Sequence, residues 1–217
     1  MSLTQQDVVR AAVDLLDEVG LAGLSLRRLA AKLHVSAPTL YWHVRDKREL
    51  LDLMVEEMLR SQWRRGSPKP GQGWEDWLVE QARLQFALLI AHRDGALVAA
   101  GNRPTPASLP LIEETIGSLV AVGFPPAEAL QVVLTVGHYV IGCAVEFQAE
   151  AARQEDRNAD VQPAQRYREM GELPNLRAAI EGKAVPDPAG AFEHGLGLLL
   201  AGLRARHAEL VLSALEP

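Results

Sequence analysis

The chain has 217 residues, 48% hydrophobic and 23% charged, the composition of an ordinary soluble globule long enough for one domain or two. Its net charge of -6 excludes a protein coated in nucleic acid, yet the first fifty residues hold more Lys and Arg than Asp and Glu and the remainder the reverse, so a local phosphate-binding surface is still open. The single Cys143 excludes an internal disulfide and reads as a small buried hydrophobe; with no basic segment leading into an apolar run, and no apolar stretch near the roughly 18 residues of a membrane span, the sequence predicts a cytoplasmic protein with no membrane partner.

Apolar residues recur at helical spacing almost throughout and strict alternation is absent, so the predicted fold class is all-α. Thr4 followed by Asp7 resembles a capping box on a first helix, with Val8, Ala12, Leu15, Leu16 and Val19 as its buried stripe and Gly20 as its stop. A second, short helix starts near Ser25. After a turn at His34, Val35 and Ser36, Ser36 can cap a third helix that tolerates Pro38 in its first turn. Asp46 and Glu49 form a D-x-x-E cap on a fourth helix with the stripe Leu50, Leu51, Met54, Val55 and Met58. "RRGSPKPGQG", residues 64–73, is the clearest linker. Long helices are predicted over 74–93, 108–122, 127–152 and 190–207, with a mobile polar loop over 153–174 and a short helix over 176–181.

Two short helices joined by a tight turn and buttressed by a first helix are the minimal DNA-reading tripod. The third helix carries Thr39, Tyr41, Trp42 and His43; consecutive helix positions point about 100° apart, so one buried face cannot hold three neighbouring rings. An aromatic wedge in a helical core is the bland alternative. Helix starts at Ser36 and Lys47 offer backbone N–H groups suited to phosphate.

"GLSLRRLAAKLHVSAPTLYWHVRDKRELLDLMVEEML" resembles the DNA-binding domain of the tetracycline repressor (TetR) family. The likeness continues in "AHRDGALVAAGNRPTP", "GFPPAEAL", "VGHYVIGCAVEFQ" and "FEHGLGLLLAGL", in matching order over nearly the whole chain. It implies a helix-turn-helix domain over 1–47, a connecting helix over 48–64 and a ligand-binding and dimerisation domain over 74–217. Carried over by position, it implies DNA contacts by Arg27, Pro38, Thr39, Tyr41, Trp42, His43 and Lys47. Ala37 stands where tetracycline-sensing members have a base-reading Gln, and Leu26 where they have Thr. An alanine methyl can touch thymine but cannot make the bidentate adenine contact, so a different operator is expected. His34 replaces the usual Gly of the turn, which His tolerates because it is enriched at positive φ.

In the body, Gln81, Gln85 and His92 share a helical stripe with Trp77 and Leu88, so they either satisfy one another in a core or line a cavity. The resemblance implies the cavity, with Trp63, Gln81, Gln85, Asn102, Arg103, Thr115, His138 and Glu146 as its lining. The His that anchors a magnesium–drug chelate in tetracycline-sensing members is Ala99 here and its Thr partner is Asn102, while Arg103, Pro104 and Glu146 are retained. A metal–tetracycline inducer is therefore not expected, and neither a metal nor a cofactor is assigned; an aromatic or amphipathic molecule is. His138 alone on an apolar helix reads first as a core histidine, and "HRDG" as an end-of-helix turn. Gly137, Gly142, Gly195 and Gly202 permit close helix approach, and the resemblance implies that the two longest helices pair across a two-fold axis as a homodimer.

The expectation is a ligand-responsive repressor bound to a double-stranded palindromic operator and released by a small-molecule inducer. A helical enzyme acting in the body cavity, without an evident nucleophile or metal cluster, and a DNA-binding regulator whose pocket is a filled core are the alternatives.

Overall fold

The computed structural model describes residues 3–60, 66–155, 173–181 and 188–213. Within them lie ten helices and no strand: α1 Gln5–Gly23, α2 Leu26–Lys32, α3 Ala37–Leu40, α4 Lys47–Met58, α5 Trp74–Ile90, α6 Gly95–Ala99, α7 Leu109–Ala121, α8 Pro126–Glu155, α9 Pro174–Glu181 and α10 Pro188–Ser213. The all-α architecture predicted from periodicity is present.

The Thr4–Asp7 capping box forms, with the Asp7 N–H donating to Thr4 Oγ1 at 3.2 Å and the Thr4 N–H donating to Asp7 Oδ2 at 3.0 Å. Hydrogen bonds from the Thr4 side chain and backbone hold the Asp7 carboxyl below the usual carboxylate range. Gly20 breaks the helix at φ 69°, but one more turn follows it to Gly23, so it is a kink rather than the expected end. Asp46 caps α4 as expected, accepting from the Glu49 N–H at 2.9 Å, whereas Glu49 reaches back to the Arg45 N–H at 2.6 Å, one residue beyond the usual capping partner. Ser36 departs further: it makes no side-chain cap, and its hydroxyl instead meets Thr39 Oγ1 at 2.8 Å.

α2 ends in a Schellman motif, with Val35 N–H on Ala30 O and His34 N–H on Ala31 O, which places His34 at φ 55°. The left-handed conformation suits glycine, so His34→Gly is expected to raise stability by about 1 kcal/mol, read as a higher urea midpoint at unchanged m-value.

Val8, Leu16, Leu29, Leu40, Leu50 and Met54 are fully buried and close the core of α1–α4. In the body, α8 packs against α5, α6, α7 and α10. Phe86 stacks on Phe192 with ring centroids 4.3 Å apart, tying α5 to α10. Cys143 is half-buried on α8 rather than buried.

The long helices differ from their expected bounds mainly by length: α8 runs to Glu155 and α10 to Ser213. The start of the predicted loop over 153–174 is therefore helical, and most of that loop, 156–172, lies outside the described residues. α8 is also more apolar than the sequence reading allowed, since Pro126–Arg153 is long and apolar enough by length and composition to cross a membrane, yet only 22% of its most apolar window is buried. Leu130 and Leu134 on α8, and Leu198, Val211 and Leu212 on α10, are exposed. Of the four glycines expected at close helix approaches, Gly195 lies against the Tyr139 ring, while a Cβ at Gly137, Gly142 or Gly202 would meet nothing within 4 Å.

Candidate DNA-reading head and ligand cavity

α3 stops at Leu40, so Tyr41, Trp42 and His43 follow it rather than sit within it. Their N–H groups donate to Pro38, Thr39 and Leu40 carbonyls, three residues back, in a tighter winding than an α-helix. Neighbouring side chains then diverge even more. Trp42 is 87% exposed and Tyr41 58% exposed, while Leu40 and Val44 on either side are buried. That removes the aromatic-wedge reading: the anchors are aliphatic and the rings face outward.

Arg27 and Pro38 are exposed, and Thr39 and Ala37 are partly buried, the latter packed on the core of the tripod. His43 is half-buried, and its carbonyl accepts from Gln5 Nε2 at 2.8 Å. Lys47 is placed differently from a free phosphate ligand, because its ammonium donates to Leu24 O at 2.8 Å, just beyond the end of α1. Arg28 Nη1 similarly holds Gly23 O at 3.1 Å. Both cations brace the tripod at a helix end whose carbonyls carry negative partial charge.

In the body, α4, α5, α7, α8 and the segment around Asn102 enclose an open cavity of about 250 Å³. Trp77, Leu78, Leu111, Ile112, Val133 and Val136 supply the apolar wall; Gln81, Gln85, Asn102 and Thr115 supply polar groups. Thr115 Oγ1 donates to Leu111 O at 2.9 Å, so its donor is spent within α7. Asn102 Oδ1 is buried without a hydrogen-bond partner among the described residues. The filled-core alternative is thus corrected to an open cavity.

Four of the eight expected lining residues come together there. Arg103, His138 and Glu146 are exposed and lie outside this wall, and Trp63 lies outside the described residues. His138 is therefore neither a core histidine nor a cavity residue of the protomer. Ala99, only 3% exposed, packs its methyl in the core. Sequence reasoning missed Glu56, a 9%-exposed carboxylate of α4 that faces the cavity. Its signal was a second acidic residue beside Glu57 on the helix face continuous with Asp52.

Two seams join head and body. Along α4, the Glu56 carboxylate accepts from the Thr105 N–H at 3.1 Å and from the Thr105 hydroxyl, Asp52 Oδ1 accepts from the Arg103 N–H at 3.3 Å, and Arg48 donates to Gly101 O. At the end of α1, "HRDG" docks: Asp94 Oδ2 accepts from the Leu21 N–H at 2.7 Å, Asp17 Oδ1 accepts from the Arg93 N–H at 2.9 Å, and Asp17 Oδ2 meets His92 Nδ1 at 3.0 Å. The motif is structural as expected, but Gly95 opens α6 rather than ending a helix. Gln148 of α8, unremarked in the sequence, fixes the other side of this turn by donating to His92 O at 2.7 Å and accepting from the Ala96 N–H at 3.1 Å.

A helix-turn-helix tripod whose fourth helix also walls a ligand-sized cavity defines a DNA-binding transcription regulator that responds to small molecules. Residues 8–54 match the family model "Bacterial regulatory proteins, tetR family" and residues 67–207 match "Tetracyclin repressor-like, C-terminal domain"; the chain belongs to the TetR family. It is 36% identical to the tetracycline repressor protein class A of Escherichia coli transposon 1721 over 204 residues, 94% of this chain and 92% of that one. Among solved structures it is similar to apo ActR of Streptomyces coelicolor (31% identity, TM-score 0.77, covering 96% and 99% of the two chains). It is also similar to TetR class A bound to 5a,6-anhydrotetracycline and magnesium (31% identity, TM-score 0.70, covering 94% and 99%).

Proposed function

We propose that the chain is a repressor that binds a palindromic operator as a two-fold homodimer and is released by a small molecule other than a magnesium–tetracycline chelate. The carrying observation is that α4 belongs to both halves: Leu50 and Met54 lie in the core of the head, and Val55, Glu56 and Leu59 at its far end line the cavity. A ligand that displaces this wall moves the head, so ligand and operator disfavour each other by one coupling free energy.

The exposed Leu130 and Leu134 of α8 and Leu198, Val211 and Leu212 of α10 support pairing of those helices between two copies, which would cover them. Two heads then stand about one DNA turn, on the order of 34 Å, or a multiple apart. Against the chelate stands the chemistry of the wall. Magnesium takes hard oxygen ligands in an octahedron. The described wall offers amides, hydroxyls already bonded and one carboxylate held by Thr105, and Ala99, packed in the core, brings no ligand atom to it. These residues do not fit the chelate.

Gel-shift on the DNA upstream of the chain's own gene is expected to show two protomers per site, with affinity falling steeply with salt. Adding tetracycline with magnesium is expected to leave the complex intact. Release by that pair, or binding of one protomer per site, overturns the respective part of the reading.

A further inference from the structure

Glu56 is an unusual group to find in an apolar wall. Burying a carboxylate is costly unless it is paired or well hydrogen-bonded. It has Thr105 alone, through the N–H at 3.1 Å and the hydroxyl, and no cation reaches it among the described residues; Arg10 and Arg60 both go to the neighbouring Glu57. The same cavity holds a second acceptor in want of a donor, Asn102 Oδ1. Asn102 and Thr105 belong to one short segment, so the two acceptors are brought to the cavity by the same stretch of chain, and the indole of Trp77 and aliphatic side chains of α7 and α8 line the same cavity.

We propose that the cavity takes an amphipathic amine, whose ammonium donates to the Glu56 carboxylate and to Asn102 Oδ1 and whose apolar body lies against Trp77, Leu78, Val133 and Val136. The proposal rests on the ligand-sensing reading above and names the class of ligand. An ammonium is a three-fold donor with no acceptor, the complement of this end of the cavity. Its hydrogen bond to a carboxylate is charge-assisted and strengthened where water is excluded. A carboxylate-bearing ligand would meet Glu56 with like charge, and a neutral hydroxyl would satisfy the acceptors without the charge. The amine would also draw Glu56 from Thr105, one of the bonds by which α4 holds the segment 101–105.

The test uses three probes with one apolar body and different heads: 4-phenylbutylamine, 4-phenylbutanol and 4-phenylbutyrate, titrated calorimetrically into the full-length protein at pH 7. The amine is expected to bind at least about tenfold more tightly than the alcohol, with the acid weakest, and the preference for amine over alcohol is expected to vanish in Glu56→Gln while the alcohol is still bound. Asn102→Leu, which leaves the carboxylate in place, is expected to weaken amine and alcohol alike and to keep the amine's advantage. Equal binding of the three, binding of none, or an undiminished preference in a Glu56→Gln protein that melts cooperatively overturns the proposal. The operator gel-shift with wild-type protein separates the failures: operator binding with no amine preference removes the ligand class alone, and loss of operator binding removes the regulator reading itself.

Discussion

Trp42→Ala is expected to lower the affinity for operator DNA by at least about tenfold, roughly 1.4–3 kcal/mol, while stability stays within about 0.5 kcal/mol of wild type. The separation of the two effects follows from where the side chain stands. At 87% exposure the indole contributes little to the tripod, and its position depends on Leu40 and Val44, which are buried. Leu40→Ala is the contrasting variant: it opens a cavity in the core of the head and is expected to cost about 2–5 kcal/mol of stability, losing DNA binding through unfolding of the tripod. Fluorescence anisotropy with a labelled operator over a salt series distinguishes the contacts further. An indole releases no counterion, so Trp42→Ala shifts the binding line without changing its slope, whereas Arg27→Ala should reduce the slope by about one. Unchanged affinity in Trp42→Ala would remove the ring from the DNA surface.

Much of this arrangement was legible because the signals are local. The Thr4 and Asp46 caps and the positive φ at His34 each follow from a residue and its neighbours within four positions, whereas Gly20, expected as a stop, kinks a helix that runs on to Gly23. The long apolar stripes place α5, α7, α8 and α10 in the same way, and the juxtaposition of three rings beside Leu40 gave the exposed surface. What could not be read depends on contacts between residues far apart in the chain. Lys47 looks like a phosphate ligand until Leu24 O, twenty-three positions back, is seen to hold it. Glu56 looks like one more surface acid of α4 until Thr105 and the cavity are seen on its other side. Arg103, His138 and Glu146, carried over as lining by the resemblance, stand exposed outside the cavity wall of the protomer, because likeness of position does not say whether a side chain meets the protomer's own cavity or its outside.

The seam at Gly20 is where such a distant contact should matter most to stability. Gly20→Ala is expected to destabilise the protein by roughly 2.5–5 kcal/mol, from two causes that add: a positive φ of 69° that costs an alanine about 1–2 kcal/mol, and a Cβ only 2.8 Å from Asp94 Oδ2. Asp94 must then retreat from the Leu21 N–H, giving up a charged hydrogen bond of about 1.5–3 kcal/mol. Asp94→Ala removes the same bond but also the obstacle. The double variant should therefore be less destabilised than the sum of the singles, by an amount that measures the steric part. Because Asp94 and Asp17 tie the end of α1 to the turn between α5 and α6, the loss should also separate the two halves in unfolding: one coincident urea transition in wild type becomes two in Gly20→Ala, one for the head and one for the body. Strict additivity in the cycle, together with a single unchanged transition, would mean that the seam carries no coupling and that α4 alone connects reading head to cavity.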